Sequence, residues 1–417
     1  MAAKKALRTY LQAMGKLNRD VRLFLVSAVA GGVCYMGLYF LLINLYLLRL
    51  GYDLEFIGLF VATGAFSFAL SSLPASMVGR RWGSRRPMIF GMTILALGLA
   101  MLALSALVPT PWRSVWLIFF CALREFGNSF YLVNANPYLM QASSPTERDY
   151  AFSLRGTLTP LAAFVGTLAG GWLPQLSAYF STRPIDDPLN YMAPLLLSAL
   201  LLLPGVVALS KTREVEDSEP HTAQRERGAM PVKALATIAL ISLLFIVTAS
   251  AGQSFYNVYM DTVLHAPTQL IGAIASCGQL LSVVLMLAAP ALMKRWGHGR
   301  SFVLMALGMA LSLLPMALVP HWSAAGLGII GIVTLMAFSS TALTIFHQEL
   351  VPVAWRPVMS GASLMAMGIG WGIVSSGGGY FVAAWGWPPF FLLAASVTAL
   401  GAVLFGLRFV WGQDRSH

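Results

Sequence analysis

The chain has 417 residues, of which 58% are hydrophobic and only 10% are charged, whereas soluble domains carry about 25% charged residues. The formal net charge is +11. A basic nucleic-acid-binding protein presents its cations on a solvated face and lacks long apolar runs, so we expect no nucleic-acid partner. The composition therefore excludes an ordinary soluble protein and indicates a chain that is embedded in a lipid bilayer.

Apolar runs of about 20 residues, the length that crosses a hydrocarbon core about 30 Å thick, recur along the chain. Their boundaries are marked by charge, Pro and Gly. They predict twelve transmembrane helices, near 23–48, 56–78, 87–107, 113–138, 150–174, 188–209, 234–260, 267–292, 301–319, 323–348, 357–384 and 389–410.

A segment dense in both charge signs, 210–233, separates the first six runs from the last six. Such a segment cannot bury apolar surface and is predicted to be a solvated linker. The fold class is therefore an all-α polytopic membrane protein with two six-helix bundles. The predicted parts in chain order are an arm (1–22), a first bundle (23–209), the linker, a second bundle (234–410) and a tail (411–417).

Most Lys and Arg residues fall in alternate connections, beginning with the amino-terminal arm. Because cytoplasmic loops carry an excess of Lys and Arg, this asymmetry predicts that both termini and the linker are cytoplasmic. We expect the chain to lie in the cell membrane, where the lipid bilayer is its surroundings.

Short matches between the two halves indicate an internal repeat. Asn44-Leu45-Tyr46-Leu47 matches Asn257-Val258-Tyr259-Met260, Ile57-Gly58 matches Ile271-Gly272, and Arg81-Trp82-Gly83 matches Arg295-Trp296-Gly297. All three pairs are separated by 213 or 214 residues. The halves are therefore predicted to be parallel repeats, with helix 1 equivalent to helix 7.

Three regions carry recognisable motifs. They are the loop between helices 2 and 3 with Arg81, Gly83, Arg85 and Arg86, Leu123-Arg124-Glu125-Phe126-Gly127-Asn128 on helix 4, and the glycine-rich helix 11. In this order along the chain, they resemble the motifs of the major facilitator superfamily. The second copy of the loop carries Arg295 and Gly297, and cations replace the family's usual loop acid, as Arg80 and Lys294. The resemblance implies two bundles around a central cavity that opens alternately to either side. Within that family, the chain looks similar to the bacterial drug/proton antiporters.

Helix 4 carries a polar wedge on an otherwise apolar span. Arg124, Asn128 and Tyr131 share one face at i, i+4 and i+7, and Glu125 lies about 100° round the helix. Because adjacent residues do not face each other, we expect Arg124 and Glu125 to meet partners on other helices, with Arg155 as a candidate ion-pair partner for Glu125. Glu125 is the candidate proton carrier and Arg124 a candidate anchor for an anionic substrate. The alternative is a buried ion pair that only fixes helix packing.

Helices 1 and 7 carry comparable polar stripes. Gln253 and Asn257 share a face of helix 7, and Tyr35, Tyr39 and Asn44 form the stripe of helix 1. Because the two helices are repeat equivalents, the stripes are expected to face each other across the central cavity and to bind substrate. Hydrogen bonding between helices is the alternative role for these side chains.

The chain carries no nucleotide-binding loop, metal-ligand spacing or nucleophile elbow, so we expect no cofactor, no metal and no enzymatic activity. The leading hypothesis is a secondary active transporter that exports small, partly apolar molecules in exchange for protons. The alternatives are uptake or facilitated diffusion of a sugar or organic anion, and a membrane sensor or assembly partner that transports nothing. One chain contains both halves, so a monomer is sufficient.

Overall fold

The computed structural model describes residues 17–144, 147–213, 232–349 and 356–410, and these contain helices and no strands. The twelve helices are α1 (Arg19–Arg49), α2 (Leu54–Trp82), α3 (Arg85–Ala103), α4 (Thr110–Ala142), α5 (Arg148–Ser181), α6 (Pro188–Ser210), α7 (Val232–Thr262), α8 (Thr268–Trp296), α9 (His298–Leu318), α10 (Trp322–Glu349), α11 (Arg356–Trp385) and α12 (Trp387–Phe405). Leu104–Leu107 extends α3 as a 3₁₀ turn, and Gly406–Val410 extends α12 as a π-helical turn. The predicted all-α fold is confirmed.

Nine of the described helices are long and apolar enough to cross a membrane. The other three are α4, which carries the polar wedge, and α5 and α11, which are rich in small and hydroxyl residues. Several predicted parts lie outside the described residues: most of the arm, most of the linker, and the tail.

The two halves pack in the same order, as parallel repeats require. In the first half, α1 packs on α5 and α6, α2 on α4, and α3 on α4 and α6. The equivalent helices of the second half repeat this pattern, because α7 packs on α11 and α12, α8 on α10, and α9 on α10 and α12.

Across the junction between the halves, α2 packs on α11 and α5 on α8, and these two contacts are also equivalent under the repeat. Glycines permit the close approach. A Cβ atom on Gly272 of α8 would lie 2.8 Å from the Cα atom of Gly171 on α5, and one on Gly58 of α2 would overlap the carbonyl oxygen of Ser375 on α11. The helix backbones therefore touch directly.

Helix α1 is irregular where it passes the candidate site. Its residues Gly32–Tyr39 are π-helical, between α-helical segments on either side. A Cβ atom on Gly37 would lie 2.7 Å from the Cα atom of Gly166, so this stretch packs directly on the α5 backbone. Widened turns of this kind often occur at functional sites, and this one carries both Tyr35 and Tyr39.

The helix bundle has two ends. We call them the Arg49 end, where α1 ends and α2 begins, and the Arg81 end, where α2 ends and α3 begins.

Candidate functional site

The polar wedge of α4 is buried inside the first half. Arg124 is 4% exposed and Glu125 is 7% exposed, and Arg124 Nη2 lies 2.7 Å from Glu125 Oε1. The expectation that these neighbours do not pair with each other is therefore wrong, whereas the expected partners on another helix are present, since Tyr35 of α1 bonds to Glu125. The helical spacing fixes only the directions of the Cβ atoms, and the long Arg124 side chain turns back toward the next carboxylate.

Arg155 is not the partner of Glu125. Its guanidinium donates a hydrogen bond to Asn136 Oδ1 and lies 5.4 Å from the centre of the Phe24 ring. Glu125 is satisfied without it, so the predicted ion pair between α4 and α5 is also wrong.

Three donors surround the Glu125 carboxylate. Besides Arg124, the Tyr35 hydroxyl donates to Oε1 over 2.5 Å and Asn128 Nδ2 donates to Oε2 over 2.9 Å. Asn128 Nδ2 also lies 3.2 Å from the Tyr35 hydroxyl. The structure thus brings three predicted site residues of α1 and α4 onto one carboxylate, and charge-assisted bonds of this kind are the strong ones in a dry interior.

Aromatic rings cover the Arg124 guanidinium. Its Cζ lies 4.2 Å from the centre of the Tyr39 ring and 5.2 Å from that of Tyr35. Arg124 Nε, Arg124 Nη1 and the Tyr39 hydroxyl are buried and make no hydrogen bond with the described residues. Ring stacking is therefore the main compensation for this cation apart from Glu125.

Two glycines make room for the ion pair. A Cβ atom on Gly98 of α3 would lie 2.7 Å from Arg124 Cβ, and one on Gly64 of α2 would lie 3.1 Å from Glu125 Cγ. Since glycine has no side chain, α2 and α3 approach α4 closely at these two positions. The ion pair is therefore covered by α2 on one side and by α3 on the other.

A small pocket of about 80 Å³ adjoins this cluster. Tyr35, Asn128, Tyr131 and Arg155 contribute to its wall together with Met36. The Tyr131 hydroxyl lies 3.1 Å from Ser27 Oγ on α1. The predicted site residues Tyr131 and Arg155 therefore lie at this pocket, beside the ion pair.

A larger cavity of about 210 Å³ lies between the two halves. Its apolar wall is formed by Met36, Phe40, Leu41, Ala275, Ile329 and Val333. Its polar wall is formed by Thr167, Gln253, Tyr256, Asn257 and Gln279. Met36 lines both the cavity and the small pocket, so this side chain borders both spaces.

Sequence reasoning found Gln253 and Asn257 in this cavity but missed the contributions of α5, α8 and α10. The signal for Gln279 was present in the chain, since it is an amide in the middle of the apolar span of α8. Such a residue in a membrane helix usually faces the protein interior or a watery space.

Toward the Arg49 end, α1 and α7 close the cavity with reciprocal asparagines. Asn44 of α1 donates to the carbonyl of Ser254 on α7 over 2.7 Å. Asn257 of α7 donates to the carbonyls of Phe40 and Leu41 on α1 over 3.0 and 2.8 Å. Asn44 therefore does not face α7 across a cavity as predicted, because the two helices touch at this level. Tyr35 and Tyr39 also depart from that prediction, since they face Arg124.

An ion pair that sequence reasoning did not identify lies beyond the asparagines. Arg49 Nη1 and Nη2 each lie 2.7 Å from a carboxylate oxygen of Asp261, and Arg49 Nε lies 2.8 Å from Asp186. The guanidinium also lies 5.6 Å from the centre of the Tyr191 ring. The sequence did contain a signal for this ion pair, because the equivalent helices α1 and α7 carry opposite charges near their ends, Arg49 and Asp261.

The loop residues of the two copies have matching backbone conformations. Gly83 has a φ of 79° and Gly297 a φ of 77°, a region that L side chains rarely adopt. The Arg81 and Arg295 side chains, one residue before the Trp in each copy, are exposed.

The basic residues that follow Gly83 lie at the start of α3. Arg85 Nη2 donates to the carbonyl of Ser210 at the end of α6 over 2.6 Å. The exposed Arg86 lies beside an outer groove of the first half. These contacts lie at the Arg81 end, away from the cavity.

The structure consists of two repeated helical bundles, with a buried polar cluster inside the first bundle and a cavity at the junction of the two. This is the architecture of a membrane transporter of the parallel-repeat class. Residues 23–375 match the family model described as Major Facilitator Superfamily, and the chain belongs to that family. It is therefore an integral membrane protein that carries a small molecule across a bilayer, and not an enzyme. No curated protein matches the chain.

Solved transporters share this fold at low sequence identity. A variant of the nucleoside transporter NupG has a TM-score of 0.72 at 18% identity, with 94% of this chain and 100% of that chain covered. A POT family transporter in complex with 5-aminolevulinic acid has a TM-score of 0.72 at 15% identity, with 93% and 95% covered. FucP, in the outward conformation, has a TM-score of 0.62 at 14% identity, with 93% and 97% covered.

Proposed function

We propose that the chain is a secondary active transporter that works by alternating access and binds its substrate in the cavity between the halves. The observation that carries this proposal is the cavity itself, which both halves line and which the α1–α7 contacts close at the Arg49 end. A site at the junction of two repeats becomes accessible from either side when the halves rock against each other.

The excess of Lys and Arg supports a cytoplasmic Arg81 end, and with it cytoplasmic termini, in a cell membrane. The Arg49 end then faces outward, and the structure corresponds to a state closed to the outside. Hydrogen bonds between the two halves occur on that side, at Asn44, Arg49, Tyr191 and Asn257. Opening to the outside requires these contacts to break.

Proton coupling through Glu125 is the second part of the proposal, with export of the substrate in exchange for protons. Tyr35 and Asn128 hydrogen-bond to Glu125 and also line the small pocket, and Met36 lines both this pocket and the cavity. A proton route from the cavity past Met36 to Glu125 is therefore part of the proposal. Protonation of Glu125 would remove the negative charge that pairs with Arg124. The contact between α1 and α4 would then depend on whether Glu125 carries a proton.

The test is proton movement in liposomes that contain the purified protein, with neutral, anionic and cationic small molecules supplied in turn. Wild type is compared with Glu125→Gln and with Glu55→Gln, which removes a carboxylate at the start of α2. We expect substrate-evoked proton movement in wild type and Glu55→Gln, and its loss in Glu125→Gln.

Substrate flux that ignores the proton gradient and survives Glu125→Gln would make the protein a facilitator. Absence of flux for every solute, from protein that is folded and correctly oriented, would instead support the sensor or assembly role.

A further inference from the structure

The cavity between the halves contains no charge. None of the described residues that line it is acidic or basic, and its polar wall consists of amides and hydroxyls. An unpaired ion is strongly disfavoured in an environment of low dielectric constant, because no counter-charge replaces its lost hydration. The lining therefore favours a ligand that carries no net charge.

Two amides in the lining have weak protein partners or none. Gln253 Nε2 lies 3.0 Å from the thioether sulfur of Met336, which is a poor acceptor. The Gln279 side chain makes no hydrogen bond with any described residue, although it is half-buried. By contrast, the Asn257 amide donates to two carbonyls of α1. An amide in a cavity wall that has no partner in the protein bonds to water or to a ligand.

The volume and the apolar wall limit the body of that ligand. An apolar cavity of about 150 Å³ holds a benzene molecule, and this cavity measures about 210 Å³. Met36, Phe40 and Val333 line it, and flexible thioether and aromatic side chains adapt to a ring of this size. A substituted single ring, or an aliphatic body of similar size, fits the space.

Two cations of the first half, Arg155 and Arg124, lie at or beside the adjoining small pocket. Arg155 lines that pocket but not the cavity, and its guanidinium donates to Asn136. Arg124 lies deeper still and pairs with Glu125. Neither cation lines the cavity between the halves, so neither favours an anion there.

We propose that the substrate is an uncharged molecule with a ring-sized apolar body and an amide-like or hydroxyl edge, which Gln253 and Gln279 recognise by hydrogen bonding. This proposal rests on the proposed function, because it assigns the chemical class of the molecule that the transporter moves. It also excludes Arg124 as a substrate anchor in this state.

Benzamide, benzoate and benzylamine test whether the cavity prefers an uncharged ligand. The three compounds share one ring and differ in the charge of the polar group. Binding is measured with the full chain purified in detergent at neutral pH, as the ligand concentration that half-maximally raises the unfolding temperature. We expect benzamide to act at a concentration at least tenfold below that of either charged compound.

Variants of Gln279 test the assignment. Gln279→Leu, an apolar change suited to a membrane helix, should weaken benzamide binding at least tenfold but leave toluene binding unchanged. Gln279→Glu should reverse the order and favour benzylamine. Gln175→Glu, on an exposed face of α5 outside the cavity, is the matched control and should keep the wild-type order.

Several results would overturn the proposal. Equal binding of the three compounds, binding of none, or an unchanged order in Gln279→Glu would each do so. If benzoate bound most tightly of the three and Arg155→Gln abolished that binding, the substrate would be an anion that binds in the adjoining pocket. Failure of the proposed transport function appears separately, as absence of solute flux in liposomes, because the charge order is read from binding alone.

Discussion

The ion pair between Arg49 and Asp261 is expected to set how readily the transporter opens at the Arg49 end. Asp261→Asn removes the charge and keeps the shape of the side chain. The Arg49 and Asp261 side chains are 18% and 12% exposed, and truncating one partner of a buried charge pair costs about 2–5 kcal/mol. Arg49 retains Asp186, which is 72% exposed, and the Tyr191 ring.

Because these remaining partners offset part of the loss, we expect the variant to shift the conformational equilibrium by about 1–3 kcal/mol toward opening, a factor of about 5–150. The shift is measured at an introduced cysteine, Thr167→Cys, in the cavity wall. The exposed native Cys277 is replaced first, and the remaining cysteines, Cys34 and Cys121, are buried. A membrane-impermeant maleimide is supplied from the Arg49 end. If the cavity opens and closes faster than the maleimide reacts, the labelling rate rises by the same factor as the population of the open state.

The ion pair between Arg183 and Asp187 provides the control. It lies in one connection of the first half, its side chains are 46% and 26% exposed, and its atoms are 3.4 Å apart, so Arg183→Gln is expected to leave the labelling rate unchanged. An unchanged rate in Asp261→Asn would refute the reasoning. An equal rise in Arg183→Gln would attribute the effect to surface charge instead of to closure.

Three further substitutions have expected outcomes. Gly127→Ala places a Cβ atom 2.6 Å from a carbonyl oxygen of α3 and should destabilise the protein by about 1–3 kcal/mol in thermal unfolding, whereas Gly156→Ala, which has open space, should not. Glu125→Leu leaves Arg124 charged and buried and should cost about 3–5 kcal/mol, and Arg124→Leu in the same chain should restore stability; no recovery would mean that the pair is not the cause. Asn257→Leu removes two hydrogen bonds to α1, each about 0.5–1.5 kcal/mol, and should raise the maleimide labelling rate described above, so an unchanged rate would contradict the closing role of that asparagine.

The helices could be predicted because one physical property, apolar length between charged or helix-breaking residues, determines where a chain crosses a bilayer. Every predicted span lies within a helix of the structure to within one residue, once the short turns that extend α3 and α12 are included. The helices extend up to seven residues beyond the predicted spans, as at Ser181. The repeat could be predicted because the matched residues have structural roles. Gly83 and Gly297, for example, share an uncommon backbone conformation.

The partners of the polar residues could not be predicted to the same extent. Helical spacing places Arg124, Glu125 and Asn128 on one side of α4, but the contact of Arg124 with its immediate neighbour depends on the side-chain conformation. That conformation is set by the Tyr39 ring and by the space at Gly98. Neither is visible from α4 alone, because both lie on other helices.

The two halves are alike at the α1–α7 contact, which closes the cavity, and differ at the proposed proton and substrate sites. Asn44 and Asn257 occupy equivalent positions, and each bonds to the backbone of the other helix. An internal ion pair occurs on α4, whereas the equivalent helix α10 carries no charged residue between Trp322 and Phe346.

The amides with weak partners, Gln253 and Gln279, belong to the second half. We therefore infer a division of labour in which the first half binds the proton and the second half recognises the substrate. Met36, which borders both spaces, lies where the two events meet. If this is right, Met36→Ala should weaken the dependence of substrate flux on the proton gradient more than it weakens substrate binding. Parallel losses of both would instead assign Met36 to the substrate site alone.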